Sequence, residues 1–241
     1  MDDNYERGTY TFKSVFWVFR PSIVGFKHCR PVISIDATHL YGKYKGNLMI
    51  AMVTDTNNKI YPLAFTIVKS ESTKTWGWFF ACIRRYVINR NDLCIISNRH
   101  PGIQAVFKDT SRDFLQPPMT KHRYCLHHLC SNVNTRWNNK TLKNLVWRAA
   151  SATQEQKFNA TFKLIENVNQ AVHQYLNDVS QDKWALAFDK GYRYGAMTTN
   201  VSECFNGALK GARSLPIMAK VKCTWFKLNA CFDDRRNKSI A

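Results

Sequence analysis

Apolar positions recur along the chain with two different periods, and the switches between them outline a fold. Pro31-Val-Ile-Ser-Ile-Asp36 is a short β-branched run stopped by a carboxylate, and residues 48–55 (LMIAMVTD) form a second run ending in Asp-Thr-Asn-Asn, a turn signal. Residues 61–69 (YPLAFTIVK) read as the returning strand, so the segment predicts an antiparallel meander. From Thr73 the period changes. Trp76, Phe79, Phe80, Ile83 and Val87 recur at helical spacing, as expected of an amphipathic helix packed on that sheet. Leu93-Cys-Ile-Ile-Ser97 is wholly apolar, which fits a short strand covered on both faces, and Pro101 opens another helix.

Between residues 119 and 194 strand signals fade, while Phe158, Phe162, Ile165, Val172 and Leu176 keep a helical period. The stretch reads as all-helical, and a further helix follows it near Asn200. Asn200-Val-Ser-Glu203 has the spacing of an N-cap with a capping-box glutamate. Val201, Phe205, Ala208, Leu209 and Ala212 line one face of that helix; Glu203, Asn206, Lys210 and Arg213 line the other. The expected division is a lead-in segment (1–30), the first part of a sheet-and-helix core (31–118), a helical insertion (119–197), and a last core helix with a tail (198–241).

Composition excludes disorder: 45% of the 241 residues are hydrophobic, enough for one domain with an insertion. The net charge of +18 is spread over both halves of the chain, so the folded body itself is basic and favours a polyanion, most simply nucleic acid. The start is polar and acidic where a signal peptide would be basic and then apolar, and no apolar run approaches membrane-spanning length. A soluble intracellular protein is expected, with no membrane partner. Eight scattered cysteines read as reduced thiols, mostly in the core.

The β-β-β-α-β-α order, with a carboxylate ending the first strand, a polar residue after the fourth and a late helical glutamate, resembles the layout of an RNase H-like nuclease core. The expected fold class is therefore α/β, with an RNase H-like mixed sheet, flanking helices and an all-helical insertion before the last core helix. Acidic groups from separate elements would converge at one sheet edge to hold two divalent ions for phosphoryl transfer. The candidates are Asp36, position 98 and Glu203.

The motifs narrow the resemblance. Ile33-Ser-Ile-Asp36-Ala-Thr38-His39-Leu40-Tyr-Gly42-Lys43-Tyr44-Lys-Gly46 is similar to the first catalytic block of plant Mutator-like element (MULE) transposases. So are Tyr61-Pro-Leu-Ala-Phe65, Trp76-Gly-Trp78-Phe79, Ile96-Ser97-Asn98-Arg99-His100-Pro-Gly102-Ile103, His122-Arg-Tyr-Cys125-Leu-His-His128-Leu and Thr199-Asn200-Val-Ser-Glu203-Cys-Phe-Asn206. The resemblance implies that Asp36 and Glu203 are the first and third acids of the triad and metal ligands for Mg²⁺ or Mn²⁺. It implies that Cys125 and His128 are the Cys-x-x-His signature of the insertion, and that DNA is the partner in the nucleus. Arg99, His100, Asn206, Lys210 and Arg213 are the candidate nucleic-acid contacts.

The pattern breaks at the second acid. The family reads Ser-Asp-Arg-His, and this chain reads Ser97-Asn98-Arg99-His100. An amide offers an oxygen but no charge, and a loss of a few kcal/mol would slow turnover by roughly a hundredfold to a thousandfold or more, at about 1.4 kcal/mol per tenfold. The expectation is a truncated, catalytically impaired transposase domain; the alternative is a domesticated transcription regulator, similar to the far-red-response factors derived from such transposases. Asp55 and Asp92 are carboxylates that would partly replace the missing charge, although neither matches the motif.

Taken singly, Asp36 fits a strand-ending turn residue, Asn98 a helix cap and Glu203 a capping partner. Their joint placement favours ligands for Asp36 and Glu203 and a structural role for Asn98. His122, Cys125 and His128 stand three residues apart and would share a helix face, but a Cys-x-x-His pair supplies only two of four structural zinc ligands, so zinc is not expected. The zinc-containing DNA-binding region and SWIM-type finger of full-length family members have no counterpart between Met1 and Ala241, the Arg235-Arg236-Asn-Lys238 cluster is a weak nuclear-targeting hint, and self-association stays open.

Overall fold

A computed structural model describes residues 12–57, 60–199, 205, 207 and 209–240, with the side chains of 238–240 left aside. The chain runs β1 (Ser14–Trp17), α1 (Arg20–Phe26), β2 (Cys29–Leu40), β3 (Gly46–Asp55), β4 (Ile60–Val68), α2 (Thr73–Tyr86), β5 (Leu93–Ser97), α3 (Pro101–Lys108) and β6 (Thr120–Tyr124). Four helices follow, α4 (Leu126–Trp137), α5 (Lys140–Ser151), α6 (Glu155–Val168) and α7 (Gln170–Asn177), and α8 (Ile217–Ile240) closes the described chain.

The six strands form one mixed sheet in the order β1-β4-β3-β2-β5-β6. The β2-β3-β4 meander is antiparallel, as its tight turns require, whereas β2, β5 and β6 run parallel because α2 and α3 make the crossovers. Ser72 caps α2 and exchanges hydrogen bonds with Thr75, which starts the helix at the residue where the apolar period changes. Its Trp76, Phe79, Phe80 and Ile83 pack on Ile33, Ile35, Met49 and Ala51 from one sheet face. Burial of Phe79 and Phe80 contributes about 1.5–3 kcal/mol each. On the other face Leu48, Ile50, Met52, Phe65 and Ile67 are covered by Leu209, Phe205 and Ile217.

Three elements depart from the sequence reading. Strand β2 does not stop at Asp36: β3 pairs with it as far as Leu40 opposite Gly46, so the acid lies within the strand. The stretch from 119 is not wholly helical, because Thr120–Tyr124 joins the sheet beside β5. Helix α8, absent from the sequence reading, buries Lys220, Thr224 and Leu228 at every fourth position, so two of its three inward residues are polar and its apolar period is faint. The lead-in segment also supplies structure: Trp17 of β1 stacks on Phe65 at 5.2 Å and donates from Nε1 to Thr224 Oγ1 of α8 at 3.1 Å.

Helices α4–α7 have their own core, in which Leu129, Val146, Phe158, Ile165 and Leu176 surround Trp184. The anchor to the sheet is ionic. Arg123 of β6 donates from Nε to Asp189 Oδ1 at 2.8 Å and from Nη1 to Asp182 Oδ2 at 3.1 Å. Asp189 Oδ2 accepts from the Arg193 backbone N at 2.7 Å, and the Arg193 guanidinium reaches the Tyr124 carbonyl at 3.1 Å and the Lys183 carbonyl. Arg123, Asp189 and Arg193 are 4%, 1% and 0% exposed, so the two cations share a buried acid.

Candidate functional site

The site is built where β2 outruns β5. Their parallel pairing ends at Ser34 opposite Ile96; two residues further along are Asp36, still within β2, and Asn98, one residue past the end of β5. Asp36 is paired across to Ile50 of β3, Ile50 to Phe65 of β4, and Phe65 to Trp17 of β1, so the acid belongs to a row that crosses the sheet. It is buried, on the sheet face that carries Ile50 and Phe65. Phe205 lies on that same face, with its ring 5.9 Å from that of Phe65.

Asn98 is held by local bonds. Its Oδ1 accepts from the His100 backbone N at 3.0 Å, a turn that leads into α3. His100, not Asn98, is the N-cap: its Nδ1 accepts from Gly102 N at 3.1 Å, while its Nε2 lies 3.8 Å from Glu71 Oε2. Glu71 Oε1 accepts from Asn47 Nδ2 at 2.9 Å, and Asn47 pairs with His39 near the end of β2. Glu71, which the sequence reading did not single out, therefore stands near this end of the sheet.

Asp55 and Asp92 do not. Asp55 is opposite Cys29, seven residues down β2 from Asp36 and about 20 Å away, beside Arg235 at 3.6 Å. Asp92 precedes β5 and is bidentate to Arg90 at 2.7 Å. Neither carboxylate lies near Asn98.

Ser97, His122 and Cys125 support the strand ends. The Ser97 hydroxyl gives its proton to the Asn98 carbonyl at 2.6 Å, so it accepts from His122 Nε2 at 2.8 Å. His122 stacks on Phe107 with centroids 3.9 Å apart; burial, then the charges of Lys183, Arg123 and Arg193, hold its pKa well below the usual imidazole value. His122 is on β6 and Cys125 is the N-cap of α4, so the two do not share a helix face with His128. Cys125 Sγ accepts from Thr199 N at 3.2 Å, and Thr199 Oγ1 is 3.4 Å from His128 Nδ1. Burial pushes the Cys125 thiol up, but hydrogen bonds from His128 and Thr199 outweigh it and leave its pKa lowered. With Leu126 N donating to Met197 O at 2.9 Å, the motif fastens the chain just ahead of residue 200 to the start of the insertion.

Glu203 and Asn206 lie outside the described residues, as does the capping box at Asn200. Lys210 is exposed in a 3₁₀ turn (Lys210–Ala212), so the α-helical face expected to run on to Arg213 ends earlier. The Arg213 carbonyl accepts from Tyr41 N, one residue past β2, at 3.4 Å. Arg99 is engaged within the protein: its Nη1 donates to Tyr175 OH at 2.7 Å and its guanidinium lies over the Tyr175 ring at 5.0 Å, tying α7 to this edge. The exposed positions are instead in the β2–β3 turn, where Tyr41, Lys43, Tyr44 and Lys45 project past Asp36. Basic residues alternating with aromatics were a signal present in the motif itself.

Fold and site define an α/β domain whose mixed sheet holds a buried acid within β2, an amide just past the end of the parallel strand β5, and an exposed basic aromatic turn after β2. Residues 32–132 match the model of the MULE transposase domain, a span that includes Asp36, Asn98, Cys125 and His128. Protein FAR1-RELATED SEQUENCE 4 of Arabidopsis thaliana is 18% identical over 200 residues, covering 78% of this chain. The chain spans about a quarter of that relative's length, 26%. These likenesses support a MULE/FAR1-like domain in a transposase-derived protein.

Proposed function

We propose that the chain is an RNase H-like transposase-derived domain that binds DNA through the edge around Asp36 and has lost most or all strand-cleaving chemistry. The strand order supports the fold assignment: an antiparallel meander followed by two parallel strands added beside its first strand. The observation that carries the functional reading is Asn98, an amide in the position beside Asp36, with its side-chain oxygen already accepting from His100 N.

A pair of Mg²⁺ or Mn²⁺ ions needs several carboxylates to offset repulsion and desolvation. Among the described residues no group of three histidine, cysteine or carboxylate side chains is gathered for a metal ion. Asp36 with a neutral amide supplies too little negative charge for a two-ion centre. Glu203, which the resemblance makes the third acid, lies outside the described residues, and its role rests on the motif alone.

The net charge of +18 and the Tyr41–Lys45 turn support nucleic acid as the partner, with Lys210 and Arg213 beside them. In this reading the protein acts in the nucleus and contacts backbone phosphates more than base edges. The test is DNA binding at several salt concentrations together with cleavage in Mg²⁺ and in Mn²⁺. Salt-sensitive binding without cleavage is expected; cleavage abolished by Asp36→Ala would overturn the reading. A tight preference for one DNA site would favour the regulator alternative, which the likeness to the FAR1-related protein supports.

A further inference from the structure

The other edge of the sheet carries a feature that DNA binding around Asp36 does not use. Beside β6, residues 181–192 fold back and leave a cavity of about 350 Å³. Lys121 and Arg123 enter it from the strand, and Lys183 and Lys190 from the facing wall; Asp182 is the one acid in its lining.

The charges in this cavity do not balance. Asp182 is taken up by Arg123 at 3.1 Å and by the Ser180 hydroxyl, and Asp189 behind it by Arg123 and Arg193. Among the described residues Lys121, Lys183 and Lys190 have no carboxylate within ion-pair distance. Burial disfavours the Lys183 charge, Asp182 opposes that, and Arg123 and Lys121 add to it; the net pKa is lowered. A bound anion would relieve this at every one of these side chains. Tyr192 adds an aromatic surface: Lys121 Nζ is 5.2 Å and the Arg123 guanidinium 5.8 Å from its ring centroid, and the residue is 37% exposed. The volume is at the lower end of the small-ligand range and exceeds what a bare phosphate fills.

We infer that this cavity binds the phosphate of a nucleotide unit, held by Lys121, Lys183 and Lys190, with the Tyr192 ring beside the attached sugar or base. The unit belongs either to a polynucleotide or to a free nucleotide, since both present the same group. Lys121 pairs with Cys94, four residues before Asn98, so the cavity is a separate place from the strand ends around Asp36 and does not depend on how that edge is read.

The experiment uses the full, unmutated chain. Lysines are acylated with limiting reagent and quantified one by one by mass spectrometry, without ligand and with adenosine monophosphate, a short single-stranded DNA, or polyglutamate as a polyanion lacking phosphate. Lys163, exposed on α6, is the reference. Saturable protection of Lys183 is expected, approaching roughly tenfold at ten times the half-saturating concentration, with Lys163 unchanged. Protection by DNA at a lower phosphate concentration than the mononucleotide identifies a polynucleotide, and the reverse order a free nucleotide. Lys183 protected no more than Lys163, or protected equally by polyglutamate, overturns the inference.

Discussion

Asp36 and Asn98 each follow by two residues the last pair that joins β2 to β5, Ser34 opposite Ile96; Asp36 is still within β2, and Asn98 is one residue past β5. Side by side, two carboxylates there would share a cation; an acid beside an amide halves the negative charge. The Asn98 amide also has local work, since its oxygen closes the turn onto His100 N. In the proposed reading, an amide at this position keeps the turn while withholding the charge that a metal site needs.

Replacing Asp189 by Asn tests the anchor between sheet and insertion. The change leaves the Arg123 and Arg193 guanidiniums buried without their shared acid. Loss of about 3–5 kcal/mol is expected in urea unfolding, consistent with breaking a buried ion pair. A loss below about 1 kcal/mol, the size of a surface pair, would show that the anchor lies elsewhere.

Acid should weaken the fold through His122. Its folded pKa lies well below 6.5, so near and below that pH the unfolded chain binds the proton first. The stabilising contribution is complete above the unfolded pKa and declines as pH falls, by up to about 1.4 kcal/mol per pH unit. Unfolding midpoints of wild type and His122→Gln between about pH 7 and pH 5 should diverge by that slope. Parallel curves would mean that His122 is protonated alike in both states.

Cys125→Ala removes the acceptor of the Thr199 amide, a buried donor. The expected cost is about 1–3 kcal/mol, read locally as faster hydrogen exchange at Thr199 by roughly tenfold to a hundredfold. Cys125→Ser, which keeps an acceptor, should retain most of the protection. Unchanged exchange in Cys125→Ala would show that the thiol does not secure the segment ahead of residue 200.

The central elements were legible because their signals are local. The apolar run at Leu93–Ser97 and the helix that opens at Thr73 coincide with strand and helix in the structure. Strand β6 was not legible: Thr-Lys-His-Arg-Tyr reads as polar, and Arg123 can be buried only because Asp189, 66 residues later, meets it. The same reason hides the roles of Arg99 and of α8, whose partners are Tyr175 and Trp17. Motif spacing singles out Asp36 and Asn98 along the chain. It could not reveal that Asp36 sits within a longer strand, nor that Asp55 and Asp92 fall at the far end of the sheet, because both follow from register.

The most direct measurement is Mn²⁺ affinity, read by the loss of the free-ion electron paramagnetic resonance signal, in wild type and Asn98→Asp. If the missing charge disables this edge, the restored acid should tighten binding by about tenfold or more, equivalent to about 1.4 kcal/mol, and Asp36→Ala should cancel the gain. Equal affinity in wild type and Asn98→Asp, or a gain that survives Asp36→Ala, would contradict the account.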